Sequence, residues 1–188
     1  MDTSEARDHL EMVERIVAAS SRKLEAGGEY FVVWGILSGT FDLGVQLIND
    51  GKLPIAAIWL APVLLLAGAL FSVLRGRSFR RRGCGLSLLQ REFFNVLWLT
   101  LAMALVVDVV GSHIFTGWAL SAIWNVAGTT VLFYIGMHGN RRATIGGIVM
   151  ILSIACANFM LPYAGYALAA GMCLGYAGFG VADLLANE

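Results

Sequence analysis

Charge is what this sequence has least of. Only 14% of its 188 residues are Asp, Glu, Lys or Arg, against 58% hydrophobic, and thirteen bases balance thirteen acids. A nucleic-acid partner needs a concentrated basic field, so none is expected. Proline is scarce, at 3 residues, so long helices meet few breaks. Cysteine is equally scarce: Cys84, Cys156 and Cys173 make no disulfide framework and read as free thiols. Missing too are Gly-x-Ser-x-Gly, His-Glu-x-x-His, a P-loop and a paired-cysteine motif. Neither enzyme chemistry nor a cofactor is therefore expected.

What is present is long apolar sequence. A soluble domain of this size has too little interior for so much apolar surface. Six stretches are long enough to cross a hydrocarbon core of roughly 30 Å. They run approximately Tyr30 to Ile48, Ile55 to Leu74, Phe93 to Gly111, Gly117 to Met137, Ala143 to Asn158 and Pro162 to Leu185. Barrel-type alternation is absent, so the expected class is all-α: a polytopic six-transmembrane-helix bundle over 30–185, preceded by a cytoplasmic amphipathic helix within 1–29.

Of the thirteen basic residues, all but Lys52 fall in the first 29 residues, in the basic loop 75–92, or at Arg141 and Arg142. Basic residues collect in cytoplasmic loops. The expectation is a multi-pass protein of the cell inner (plasma) membrane with both termini cytoplasmic. Residues 1–29 lack the apolar core of a cleavable signal peptide. Within them Leu10, Val13 and Val17 repeat at helical spacing over 3–26. That helix either lies against the bundle or lipid surface, or docks a cytoplasmic protein or a second copy. Arg77, Arg80, Arg81 and Arg82 set topology or hold anionic headgroups of the lipid bilayer.

Polar residues inside apolar stretches carry the functional reading, because an ionisable group in hydrocarbon costs about 2.5–3.5 kcal/mol on insertion scales. Ser38, Asp42 and Gln46 recur at four-residue spacing; Thr100, Asp108 and Ser112 form a second stripe; Ser121, Asn125 and Thr129 form a third. Helical rise puts Asp42 about 18 Å from the cytoplasmic end of its span, Asp108 about 22 Å from that of its own, and Asn125 about 12 Å from the opposite end. His113 lies just beyond. The expectation is one shared layer of Asp42, Gln46, Asp108 and Asn125, flanked by Ser38, Thr129 and His113. It would open outward and bind a proton, a cation or a small solute. A divalent site from Asp50, Asp108 and His113 is a narrower alternative. The bland alternative is that these groups glue helices together through interhelical hydrogen bonds.

Five tryptophans with Tyr163 and Tyr166 suit an aromatic belt or packing. Gly35 with Gly39, and Gly165, Gly171, Gly175 and Gly178, give two helices small faces that serve bundle closure or a homo-oligomer. The function expected is a small transporter or channel-like protein. The alternative is a non-transporting signalling or scaffold protein that docks a cytoplasmic partner through its N-terminal helix.

Overall fold

The computed structural model describes residues 27–81, 88–111, 113–114 and 117–187. The expected N-terminal amphipathic helix, with Leu10, Val13 and Val17, lies outside the described residues, as do Arg82 and the side chains of Arg80 and Arg81. Every regular element among the described residues is helical. Six segments are long and apolar enough to cross a membrane.

Helix α1 (Gly28–Asn49) starts after Gly27, whose φ of 66° is the left-handed conformation glycine adopts without strain. A 3-10 turn (Ile55–Trp59) follows Pro54 and leads into α2 (Leu60–Arg81). The expected basic loop is thus largely helical, since α2 continues through Arg81 and α3 (Leu88–Gly111) begins before Arg91. Helix α4 (Trp118–Met137) is followed by α5 (Arg141–Phe159), where the Asn140 side chain accepts the Ala143 N–H as an N-cap.

The sixth segment is not one regular helix. A 3-10 turn (Leu161–Tyr163) leads into α6 (Ala164–Gly171), then a π-helical turn (Met172–Ala177), then α7 (Gly178–Asn187). In the π turn the Gly178 N–H reaches back five residues to the Cys173 carbonyl.

The sixth segment is the centre of the bundle. Helix α1 packs along its length on one side and α5 on the other, while α4 packs on α5 and α6. Helix α2 lies on the outer side of α1, and α3 on α4. Seams with the sixth segment are tight: a Cβ on Gly35 would sit 2.5 Å from the Ala177 backbone nitrogen. The apolar core, Val131, Leu132, Ile135, Met150, Met172 and Phe179 with Phe31 and Phe93, lies between these helices toward the end that carries Arg75 and Arg141.

Burial runs opposite to hydropathy. The second and third segments are the most apolar, with mean hydropathy 2.3 and 2.2, yet only 6% and 11% of their most apolar 18-residue stretch is buried. The sixth has mean hydropathy 1.5, and 50% of the corresponding stretch is buried. Meanwhile Asp42, Gln46, Asn125, Thr129, Asn140 and Asp183 are all inside. A water-soluble fold would reverse both placements. The distribution fits an apolar surrounding, where polar groups gather inward and leucine loses nothing by facing out.

Candidate functional site

Four helices meet around one buried amide. Asp42 on α1 is 4% exposed and Asn125 on α4 is 0% exposed. The Asn125 Nδ2 donates to Asp42 Oδ2 at 3.1 Å and to the Ser121 carbonyl at 3.1 Å. On the other side, the Asn125 Oδ1 is buried without a hydrogen-bond partner. It lies toward Gly171, where α6 gives way to the π turn, and toward Ser153 of α5.

The other polar residues singled out by spacing go elsewhere. Gln46, one turn beyond Asp42, donates Nε2 to Asp50 Oδ1 at 2.8 Å and to the Pro162 carbonyl at 2.9 Å, and its Oε1 accepts the Gly165 N–H at 2.9 Å. Its amide thus ties the start of the sixth segment to α1. Thr129 donates to the Asn125 carbonyl of its own helix at 2.8 Å. Ser38 is half-buried, one turn from Asp42 on the opposite side from Gln46. Asp108 is half-buried on α3, and its Oδ1 is enclosed without a hydrogen-bond partner. His113 is exposed beyond α3. The structure therefore joins Asp42 to Asn125, while the bonds of Gln46 run to Asp50 and the sixth segment and those of Thr129 stay within α4. Arg77 is exposed near the end of α2.

Asp50 belongs to a cluster at the Lys52 end. Tyr166 donates its hydroxyl to Asp50 Oδ2 at 2.7 Å, and Lys52 lies 3.2 Å from both that oxygen and the Tyr166 hydroxyl. The Tyr166 hydrogen bond, then that of Gln46, holds the Asp50 carboxyl below the usual carboxylate range. The Lys52 ammonium is held above its usual value, first by Tyr166 and then by Asp50. Among the described residues, no three His, Cys, Asp or Glu side chains converge as a metal-binding group.

Two clusters at the opposite end went unread in the sequence. Asn140 donates Nδ2 to Asp183 Oδ1 at 3.0 Å, both residues buried. Arg75 pairs with Glu29 across α1 and α2. Asn140 was findable as an N-cap before Arg141. Ser153 carried no signal, standing alone in an apolar stretch.

A cavity of about 190 Å³ lies between α1 and α2, lined by apolar side chains including Phe41, Leu47, Ile58 and Leu64. Asp42 and Asn125 are not among its walls. Cys156 and Cys173 are free thiols.

Compared with known protein-family models, with curated proteins and with solved structures, the chain matches none.

Proposed function

We propose that this chain is a small inner-membrane protein of the transporter or channel-like kind, in which Asp42 binds a proton or cation. The observation that carries the reading is the Asp42–Asn125 contact, a carboxyl group buried at the middle of an apolar bundle and met by an amide from another helix. An ionisable group at that depth is costly, which argues that it is used. Asp108, with one enclosed oxygen unmatched, is a second ionisable position in this reading. Gln46 is left out of the site, because both ends of its amide are already engaged.

The basic residues orient the proposed protein. Arg75, Arg141 and Arg142 lie at the end where Asn140 meets Asp183, and Lys52 lies at the other. The positive-inside rule makes the former end cytoplasmic, with both termini there. Proton or cation flux into proteoliposomes tests the function. Asp42→Asn abolishes it and Asp108→Asn lowers it, whereas unchanged flux with both neutralised overturns the proposal.

A second reading draws on the apolar cavity, which does not include the polar residues. In it the bundle anchors a signalling or scaffold protein, and residues 1–26 dock a cytoplasmic partner or a second copy. Deleting residues 1–26 then removes a co-purifying partner from a protein that carries no flux.

A further inference from the structure

Helices α1 and α2 are a close pair at one end and an open one at the other. Toward the end that carries Arg75, a Cβ on Gly68 would stand 2.9 Å from the Trp34 ring and 3.0 Å from Leu37. There the Trp34 Nε1 donates to Ser72 Oγ at 3.1 Å, Tyr30 meets Phe71 edge-on, and Glu29 pairs with Arg75. Beyond Leu37 the helices part. A Cβ on Gly44 would meet nothing within 4 Å, and the cavity of about 190 Å³ lies against it.

The cavity wall runs from Thr40 to Ile48 on α1 and from Leu60 to Leu64 on α2, with Leu53, Ala57 and Ile58 closing the end near Lys52. At 1.5 Å per residue, Thr40 to Ile48 is about 12 Å. The space is therefore a slot along the helices, the width of one unbranched chain. It begins at the end of the span and stops near Thr40, which is close to the depth of one leaflet in a hydrocarbon core of roughly 30 Å.

What lines the slot decides what enters it. Its wall carries no ionisable side chain, and Thr40 supplies the one polar side chain. A water needs several polar partners, whereas an apolar cavity of roughly 150 Å³ stays dry and takes a hydrocarbon. The rim is open sideways: Leu43, Ile58 and Leu60 are exposed, on the segment pair that includes the least buried span.

Building on the membrane setting proposed above, we infer that this slot seats one acyl chain of a bilayer phospholipid from the leaflet at the Lys52 end. The chain takes the place of the side chain that Gly44 lacks and completes the packing of α2 on α1 where the two part. Recognition is by the hydrocarbon alone. Lys52 is turned to Asp50 and Tyr166, so headgroup charge does not select the lipid. A side chain from a second copy would fill only a fraction of a slot this long.

The test places the full chain in nanodiscs of phosphatidylcholine that carries a diazirine part-way down one acyl chain, and maps the labelled residues by mass spectrometry after illumination. Exposed Leu99 and Val106 of α3 report ordinary contact with the surrounding lipid. Val45 and Ala61, half-buried in the slot, are labelled at least as strongly as these two. Gly44→Leu fills the slot, lowering the label at Val45 and Ala61 several-fold and sparing Leu99 and Val106. Ala61→Leu fills it from the opposite wall and lowers the label at Val45 in the same way. Exchanging phosphatidylcholine for phosphatidylglycerol leaves the pattern in place.

Unlabelled Val45 and Ala61, or a label at Val45 that both filling variants leave standing, overturns the seated chain, whether the slot is then empty or taken by a second copy. A slot labelled by a diazirine fatty acid but not by the phospholipid overturns the phospholipid as the source. A pattern that changes with the headgroup overturns recognition by hydrocarbon alone. Asp42→Asn leaves the slot labelled, so loss of the ion site and loss of the seated chain are read separately. Leu99 and Val106 unlabelled as well would remove the membrane setting itself.

Discussion

The side-chain oxygen of Gln46 accepts the backbone N–H of Gly165 at 2.9 Å, across 119 residues of chain. Gly165 lies in the first turn of α6, where backbone N–H groups have no helical partner. The same amide donates to the carbonyl of Pro162. One glutamine thus satisfies two groups that would otherwise be left open at a helix start.

Gln46→Leu keeps the volume and removes all three hydrogen bonds. It leaves the Gly165 N–H unmatched and destabilises by about 1–3 kcal/mol. Gln46→Glu retains an acceptor for Gly165 but sets a second carboxylate beside Asp50, so its loss is relieved as the pH falls. Thermal unfolding in detergent, compared at neutral and acid pH, separates the two variants.

Asn140 has two tasks, capping α5 through Ala143 and bonding Asp183. Asn140→Asp keeps the cap and replaces the donor to Asp183 with a like charge. It is less stable than wild type at neutral pH and recovers on acidification, as one of the two carboxylates takes a proton. Asn140→Ala loses both contacts, at about 1–2 kcal/mol, with no such recovery. The pH dependence of the unfolding midpoint tells them apart.

Asp50, Lys52 and Tyr166 make a latch that titrates at both extremes. The folded Asp50 carboxyl lies below its ordinary value of 3.8. Its contribution is complete above that value and is lost as the pH falls through the lower, folded one. The folded Lys52 lies above its ordinary value of 10.5. Its contribution is complete below that value and is lost as the pH rises through the higher, folded one. Tyr166→Phe removes the leading cause of both shifts, so stability then responds less at each extreme, as scans of unfolding against pH would register.

Gly35 and Gly44 share α1 and differ in surroundings. A Cβ on Gly35 meets the Ala177 backbone at 2.5 Å, while one on Gly44 meets nothing within 4 Å. Gly35→Ala therefore forces α1 away from the π turn and lowers the unfolding midpoint. Gly44→Ala leaves the midpoint unchanged or raises it, since alanine is the better helix former. Side-by-side melts of the two variants decide it.

Helix number and rough boundaries were legible because apolar length alone specifies them, and the described residues hold six such segments, the sixth broken by a π turn. Charge scarcity pointed to an apolar surrounding for the same reason. Partner choice was another matter. Four-residue spacing shows that Ser38, Asp42 and Gln46 share a helix side, but not that Asp42 meets Asn125 while Gln46 meets Gly165. Asp108 illustrates the limit: equal depth put it in one layer with Asp42, yet α3 packs on α4 at the edge of the bundle. The π turn was unreadable because it arises where the sixth segment fits both α1 and α5, a tertiary demand that no local pattern records.

Because the sixth segment is the main partner of α1, α1 is made long before the surface it packs on. In the membrane setting proposed above, Gln46 lacks its Pro162 and Gly165 partners until then, while Asp42 waits only for Asn125 of α4, at about 2.5–3.5 kcal/mol for the acid on insertion scales. Helix α2 carries no acidic residue, whereas α3 brings Asp108 to the edge of the bundle. Assembly in the proposed membrane setting therefore needs α1 sheltered until the sixth segment has been made.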